Sequence, residues 1–380
     1  MCIRDSLRTI YFSLYHVLIF IGIFQGLLLA YIFLFNKRFR KKSNFAFAIS
    51  VLTIVFAGMA EIAIDLNLHE QYVLFPSLLL ANFSLIGIGY YYFVLFLIQP
   101  HYQFKKKDYW IITPFIVEFL SRLIVYGNQV IQPTIIEDSP SLFRPFSLFI
   151  NYLPICYMAI VCYWVYRELR KYHHKLLDNF SEIQGKELYW LESLNYFFVL
   201  FTVYWFFVIT ILFVGERFLF LRDSIWIIGC MLVYWLAYIV MLKREIFAIP
   251  IFEEPTDKIE KNNLSDKTEE HYQKLLQLLT TEKLYQDTDL NMDMLSQKMN
   301  LSNGYLSKII NQKEGKNFYE FINTYRIEEV KAHLSHPDYA HYSILGIGLE
   351  AGFKSKSTFN AVFKKMTGMT PSAYKRQLAP

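Results

Sequence analysis

Up to about Ile246, long apolar runs alternate with short polar stretches; beyond it the runs stop and apolar residues recur at the three- and four-residue spacing of amphipathic helices. The runs cover about residues 10–35, 44–66, 72–98, 110–126, 147–166, 196–214 and 225–242. Each is near the ~20 residues that a helix needs to cross a bilayer, so the pattern predicts a seven-helix transmembrane bundle over residues 1–246. The first run ends in Asn36-Lys37-Arg38-Phe39-Arg40 with no small-residue cleavage site, which favours a retained helix over a signal peptide. The leading residues Met1 to Ser6 are given no role. Residues 247–268 turn polar, with Pro250 and Pro255, and read as a linker. An amphipathic helix follows over 269–284, with Leu275, Leu276, Leu278 and Leu279 placed to pack on the segment after it.

The rest of the chain repeats one pattern twice. Asn291 caps a short helix bearing Leu295 and Met299; after a turn at Leu301 and Ser302, Ser302 caps a second helix with Tyr305, Leu306, Ile309 and Ile310 inward. About fifty residues later Ser343 caps a helix from Ile344 to Ala351, Gly352 and Phe353 make the turn, and Ser355 caps a helix with Phe359, Val362 and Phe363 inward. The units span about 291–312 and 343–365, within a domain over 269–380. Between them, residues 317–334 have the period of one helix, roughly 27 Å long at about 1.5 Å per residue. That length suits two visits to the major groove about 34 Å apart. The fold class is therefore all-α: a seven-helix bundle followed by a tandem helix-turn-helix domain.

The string Gly352-Phe353-Lys354-Ser355-Lys356-Ser357-Thr358-Phe359, continued by Phe363 to Tyr374, resembles the C-terminal signature of the AraC-type transcription regulators. Glu314 to Phe318 and Tyr325 to Glu329 fit the first copy and the linking helix of that family. The resemblance covers about residues 268–380, and it points to the Bacteroidetes members that carry an N-terminal membrane domain. Gly346 and Gly348 depart from helical expectation, since each helical glycine costs about 1 kcal/mol. The family places both recognition helices in adjacent major grooves. Carried over position by position, this implies base-edge contacts from Asn303, Ser307 and Lys308, then from Lys356, Ser357, Thr358 and Asn360. Asn pairs with adenine and Lys donates to guanine. Thr370 caps a last helix whose free amides, with Lys364, Lys375 and Arg376, would hold phosphate.

Composition and charge sharpen this picture. At 380 residues, 54% hydrophobic and 18% aromatic, the chain is too apolar for a soluble protein of its size. Basic residues crowd the connections after the first, third and fifth runs and after the seventh, from Lys37–Lys42 through Lys105–Lys107 and Arg167–Lys186 to Lys243 and Arg244. The opposite connections hold only Arg144, Arg217 and Arg222, besides Arg4 and Arg8 near the start. By the positive-inside rule the N-terminus lies outside and the DNA reader in the cytoplasm, on the inner membrane of a cell without a nucleus. Within the reader, Lys354, Lys356, Lys364, Lys365, Lys375 and Arg376 face only Glu350 in the second half. In the first half six cations, Arg326 among them, meet seven acids, so phosphate attraction should come from the second copy.

No enzyme site emerges: no nucleophile stands with a base and no carboxylates pair in a cleft. His333, His336 and His341 match no zinc spacing, Cys156, Cys162 and Cys230 lie in apolar runs, and Gly346 to Gly352 lacks the preceding strand of a phosphate loop. No cofactor or metal is expected. Inside the bundle, Glu118 and Arg122 stand four apart, the spacing of a helical ion pair, and charge at that depth is functional by default. A structural pair at a helix end is the alternative reading. Glu61, with Asp65, adds acidity, while Tyr90 to Tyr92 and Trp205 suggest interfacial belts. The expected partners are double-stranded DNA, the bilayer, a small-molecule or envelope signal and a second copy of the chain. Two alternatives remain: a transporter or membrane enzyme with a regulatory DNA-binding tail, and a constitutive membrane-tethered DNA binder.

Overall fold

The computed structural model describes residues 14–39, 41–65, 83–131, 140–214, 219–242 and 265–378. Among these residues the longer elements are all helices, and the only extended pairing is an isolated antiparallel bridge between Phe180 and Asn291. The chain divides into two compact units, Met1–Leu169 with Tyr189–Ile251 and Arg170–Leu188 with Phe252–Pro380.

The first unit is a bundle of α1 (Leu14–Phe35), α2 (Lys42–Asp65), α3 (Phe83–Ile98), α4 (Tyr109–Ile131), α5 (Pro140–Asn179, which belongs to this unit as far as Leu169), α6 (Tyr189–Val214) and α7 (Leu219–Leu242). The helix α2 packs against α1 and α3, and α7 against α1 and α6. Polar groups in the bundle are spent on interhelical bonds: Ser50 Oγ donates to the Ile86 carbonyl (2.9 Å), Tyr157 to the Ile111 carbonyl (2.8 Å), and Asn195 Nδ2 to the Cys162 carbonyl (3.2 Å). Four segments are long and apolar enough to cross a membrane: Tyr15–Phe35, Lys42–Ala63, Leu148–Asn179 and Tyr189–Phe213. Only 17% of the most apolar stretch of α6 is buried, and Leu200 and Phe207 point outward, as suits a helix whose solvent is lipid.

The other three expected spans are helical but do not meet that measure among the described residues. The stretch Phe83–Ile98 has 16 residues, with 72–82 outside the described set, and the apolar part of α7, Asp223–Trp235, is short as well. The helix α4 carries Pro114, Glu118 and Arg122. Two further helices are longer than their apolar runs. The helix α5 continues past Tyr166 because Leu169, Tyr172 and Leu176 recur at helical spacing and are buried, although lysines and histidines between them hide the pattern. Leu191 and Leu194 likewise extend α6 upstream to Tyr189. The expected outer loop 127–146 shrinks, since α4 reaches Ile131 and α5 begins at Pro140. Most of the expected linker lies outside the described residues.

The second unit holds α8 (Ser265–Thr281), α9 (Met292–Met299), α10 (Asn303–Glu314), α11 (Phe318–Ser335), α12 (Ile344–Glu350), α13 (Lys356–Thr367) and α14 (Pro371–Leu378). Two separate cores organise it. Leu275 and Leu279 of α8 join Met292, Leu295, Met299, Leu306, Ile310, Phe318, Phe321 and Ile322 in one. Ile327, Val330 and Leu334 join Ile347, Phe353, Phe359, Val362 and Phe363 in the other. The N-terminal half of α11 thus belongs to the first core and its C-terminal half to the second, so one continuous helix sets the geometry of both copies.

Candidate nucleic-acid interface

Each helix-turn-helix copy is fixed by its caps. Asn291 accepts from Met294 N (2.9 Å) and Ser302 from Tyr305 N (3.3 Å), with Asn300 in the left-handed conformation (φ 55°) turning the chain between α9 and α10. In the second copy Ser343 accepts from Gly346 N (2.9 Å) and Ser355 from Thr358 N (3.2 Å). Gly352 makes the turn at φ 100°, and a Cβ there would sit 2.5 Å from the Tyr285 carbonyl, so both backbone conformation and space demand glycine. Gly348 is also explained: a Cβ would approach the Phe359 ring to 2.8 Å, so the α12–α13 contact requires the residue that helix propensity disfavours.

The exposed stripe of α13 carries Lys356, Asn360 and Lys364 at successive turns, with Ser357 beside them. On α10, Lys308 is exposed and Ser307 half-buried; Gly304, Asn311 and Gln312 extend the open face beyond the sequence-predicted set. Thr370 accepts from Ala373 N (3.2 Å) and starts α14, where Lys375 and Arg376 lie near the end. Lys308, Lys356, Lys364, Lys375 and Arg376 make no ion pair among the described residues.

Two expected readers sit differently. Asn303 does not project: its side chain bonds Asp293 and Ser296 and ties α10 to α9 across the turn. Thr358 is buried, 9% exposed, with Oγ1 2.8 Å from Gln184 Oε1 and 3.2 Å from Glu182 Oε1. The charge reading also needs correction. Lys354 pairs with Asp289 (2.9 Å) and Lys365 with Glu320 (3.1 Å), so acids of the first half neutralise part of the basic second half. Each partner shifts the other: the Lys354 ammonium holds the Asp289 carboxyl below the usual range, and Asp289 raises Lys354.

Arg326 offers no charge to phosphate, because it is fully buried. Its guanidinium donates to the carbonyls of Tyr285 (2.7 Å), Asp287 (2.8 Å) and Ser181 (3.2 Å) and to Ser181 Oγ (3.1 Å). Burial pushes it down to about 10, partly countered by the Glu182 carboxylate, and it stays cationic at neutral pH. Ser181 in turn donates its backbone N–H (3.3 Å) and hydroxyl (2.6 Å) to the Leu290 carbonyl. The segment after α5, read from sequence as part of a basic connection after the fifth apolar run, is therefore part of this unit. Sequence reasoning missed Ser181, Glu182 and Gln184, which lie over a hundred residues from their partners.

The bundle contains a second candidate site. Glu118, fully buried, accepts from Ser84 N (2.9 Å), Ser84 Oγ (2.6 Å) and Arg122 Nη2 (3.2 Å). Arg122 lines a cavity of about 270 Å³ together with Glu61, Phe83, Phe201, Trp205 and Trp226. The expected pair thus forms, and it turns inward. Tyr90 is 1% exposed and Trp205 lines the cavity. The Asp65 side chain lies outside the described set.

Comparison with known proteins follows the same division. A family described as "Helix-turn-helix domain" matches residues 295–377. The chain is similar to an uncharacterized HTH-type transcriptional regulator of Staphylococcus aureus (strain COL), 37% identical over 87 residues, 23% of this chain and 11% of that protein. It is also similar to the melibiose operon regulatory protein of Escherichia coli (strain K12), 30% identical over 141 residues, 36% of this chain and 44% of that one. Both alignments leave more than half of the relative uncovered. Among solved structures, the C-terminal domain of the two-component response regulator yesN from Fusobacterium nucleatum is 27% identical, with TM-score 0.25, covering 29% of this chain and 99% of that one. The signature residues, the matched family and the two curated relatives agree: the C-terminal part of the chain is an AraC-type helix-turn-helix domain, a DNA-binding element of transcription regulation.

Proposed function

We propose that the protein is a membrane-embedded one-component transcription regulator, which binds promoter DNA through two helix-turn-helix units under control of a signal perceived by its helical bundle. The observation that carries this reading is the union, on one chain, of four helices long and apolar enough to cross a bilayer with a DNA-binding domain bearing two capped reading helices. In this reading all seven helices of the bundle cross the inner membrane, an odd number of passes that leaves the N-terminus outside and the DNA-binding unit in the cytoplasm, where the basic connections also lie.

The cavity beside Arg122 is the candidate signal site. Its walls are mostly apolar and aromatic, with Arg122, held by Glu118 behind it, and Glu61 and Asn151 as the polar groups, the make-up of a site for a small molecule with an apolar body and a few polar groups. Base readout falls to Lys308, Ser307, Lys356, Ser357 and Asn360, and phosphate binding to Lys364, Lys375, Arg376 and the α14 N-terminus at Thr370. A promoter reporter carrying the full chain tests the reading. Glu118→Gln and Arg122→Gln should change the response to culture conditions while leaving membrane insertion intact. Equal output from both variants and the parent under all conditions contradicts sensing at this site and supports a constitutive tether.

A further inference from the structure

The loop between α5 and α6 reaches the N-terminus of the second reading helix. Gln184 Nε2 donates to Ser357 Oγ (3.0 Å), and Gln184 Oε1 is bonded by the hydroxyls of Ser355 and Thr358. Glu182 Oε1 takes the Gln184 backbone N–H (3.0 Å) and lies against Thr358. A single exposed side chain therefore occupies the hydroxyls of the first turn of α13, and a carboxylate stands beside them. In helix-turn-helix proteins this first turn is what meets base edges, and DNA brings phosphate charge to the same place.

We propose that the exposed tip Gln184–Gly185 is an intramolecular latch that competes with DNA for α13 and that the bundle controls. This rests on the regulator reading above. Two sets of bonds of unequal strength make a latch rather than a fixed wall. At the base, Ser181 is fully buried and held by the buried Arg326 guanidinium, an arrangement costly to break. At the tip, Gln184 is exposed and its bonds sit at the rim, where water replaces them at little cost. Gly185 follows with φ 80° and nothing within 4 Å of a Cβ, so the chain has room to turn there. The tip thus lifts while the base stays anchored. Its two ends run into the segments Leu148–Asn179 and Tyr189–Phe213, so a change in the bundle that moves one against the other pulls on the tip.

The test uses the full chain in lipid nanodiscs and a duplex selected from a random pool by that chain. Gln184→Ala, at an exposed position that does not threaten the fold, should bind this duplex about three- to thirtyfold tighter, since the competent population rises as the latch weakens. In a Gln184→Cys chain, maleimide modification at position 184, read by peptide mass spectrometry, should speed up when the duplex is added. Unchanged or weaker binding by Gln184→Ala, or modification slowed by DNA, overturns the latch and leaves the DNA reader standing. If neither the parent nor Gln184→Ala selects or binds any duplex, the reader itself fails and the latch with it.

Discussion

In the first helix-turn-helix copy, α10 leaves Gly304, Lys308, Asn311 and Gln312 open while Asn303 turns back onto α9; in the second, Lys356, Asn360 and Lys364 stay open while the first turn of α13 is covered by Gln184. The same caps build both backbones. What differs is which distant residue meets each reading helix, and that is decided by the fold around it. Both copies lean on α11; the first adds α8 and the Tyr285 ring to its core, whereas the second turns at Gly352 against the 285–286 backbone and meets the Ser181 loop. One residue, Arg326, stands between them, and its bonds link the loop to the connection that carries Tyr285 and Asp287.

The largest expected effect comes from removing that shared anchor. Arg326→Ala strips four hydrogen bonds from buried carbonyls and a hydroxyl and leaves Glu182 without its buried counter-charge, so unfolding of the second unit should become easier by about 3–5 kcal/mol. Thermal denaturation of the full chain, followed through the second unit's signal, measures this. A loss below about 1 kcal/mol would mean that the copies are not joined through Arg326.

Next come the two glycines of α12. Gly348→Ala presses a methyl group against the Phe359 ring and should destabilise the second copy by about 1–3 kcal/mol. Gly346→Ala meets only Ser343 Oγ, at 3.1 Å, and should be neutral or stabilise the helix by up to about 1 kcal/mol. Equal effects at both positions would contradict the packing reason for Gly348.

This contrast also shows what was legible in the sequence. Caps, turns and the inward faces of both copies could be read because they obey rules spanning three or four residues: Ser302, Ser343 and Ser355 announce their helices locally. The described parts of the seven apolar runs are helical, as their length and composition predict. The extension of α5 to Asn179 was hidden because Tyr172 and Leu176 are scattered among charges. The docking of Ser181, Glu182 and Gln184 was hidden more deeply, since polar loop residues carry no periodic signal and their partners stand more than a hundred positions away. Burial of Arg326 and Thr358 follows from that docking, and so the sequence-level charge count overestimated what is available to phosphate.

Smaller effects separate reading from holding. Lys308→Ala and Asn360→Ala should each cost about 1–3 kcal/mol on the best duplex and relax preference at separate base pairs about one helical turn apart. An unchanged selected motif from both would remove them from the interface. Lys375→Ala should weaken binding to all duplexes alike and lower the salt slope by about one. Retention of the full slope would take Lys375 off the phosphate backbone.

The central claim, one chain that reads DNA from within the inner membrane, is tested most directly with membrane vesicles of opposite sidedness. After an alkaline carbonate wash, inside-out vesicles carrying the full chain should capture the selected duplex, with two protected patches about one helical turn apart, and right-side-out vesicles should not. Recovery of the DNA-binding activity in the carbonate-soluble fraction, or equal capture by both kinds of vesicle, would contradict the account.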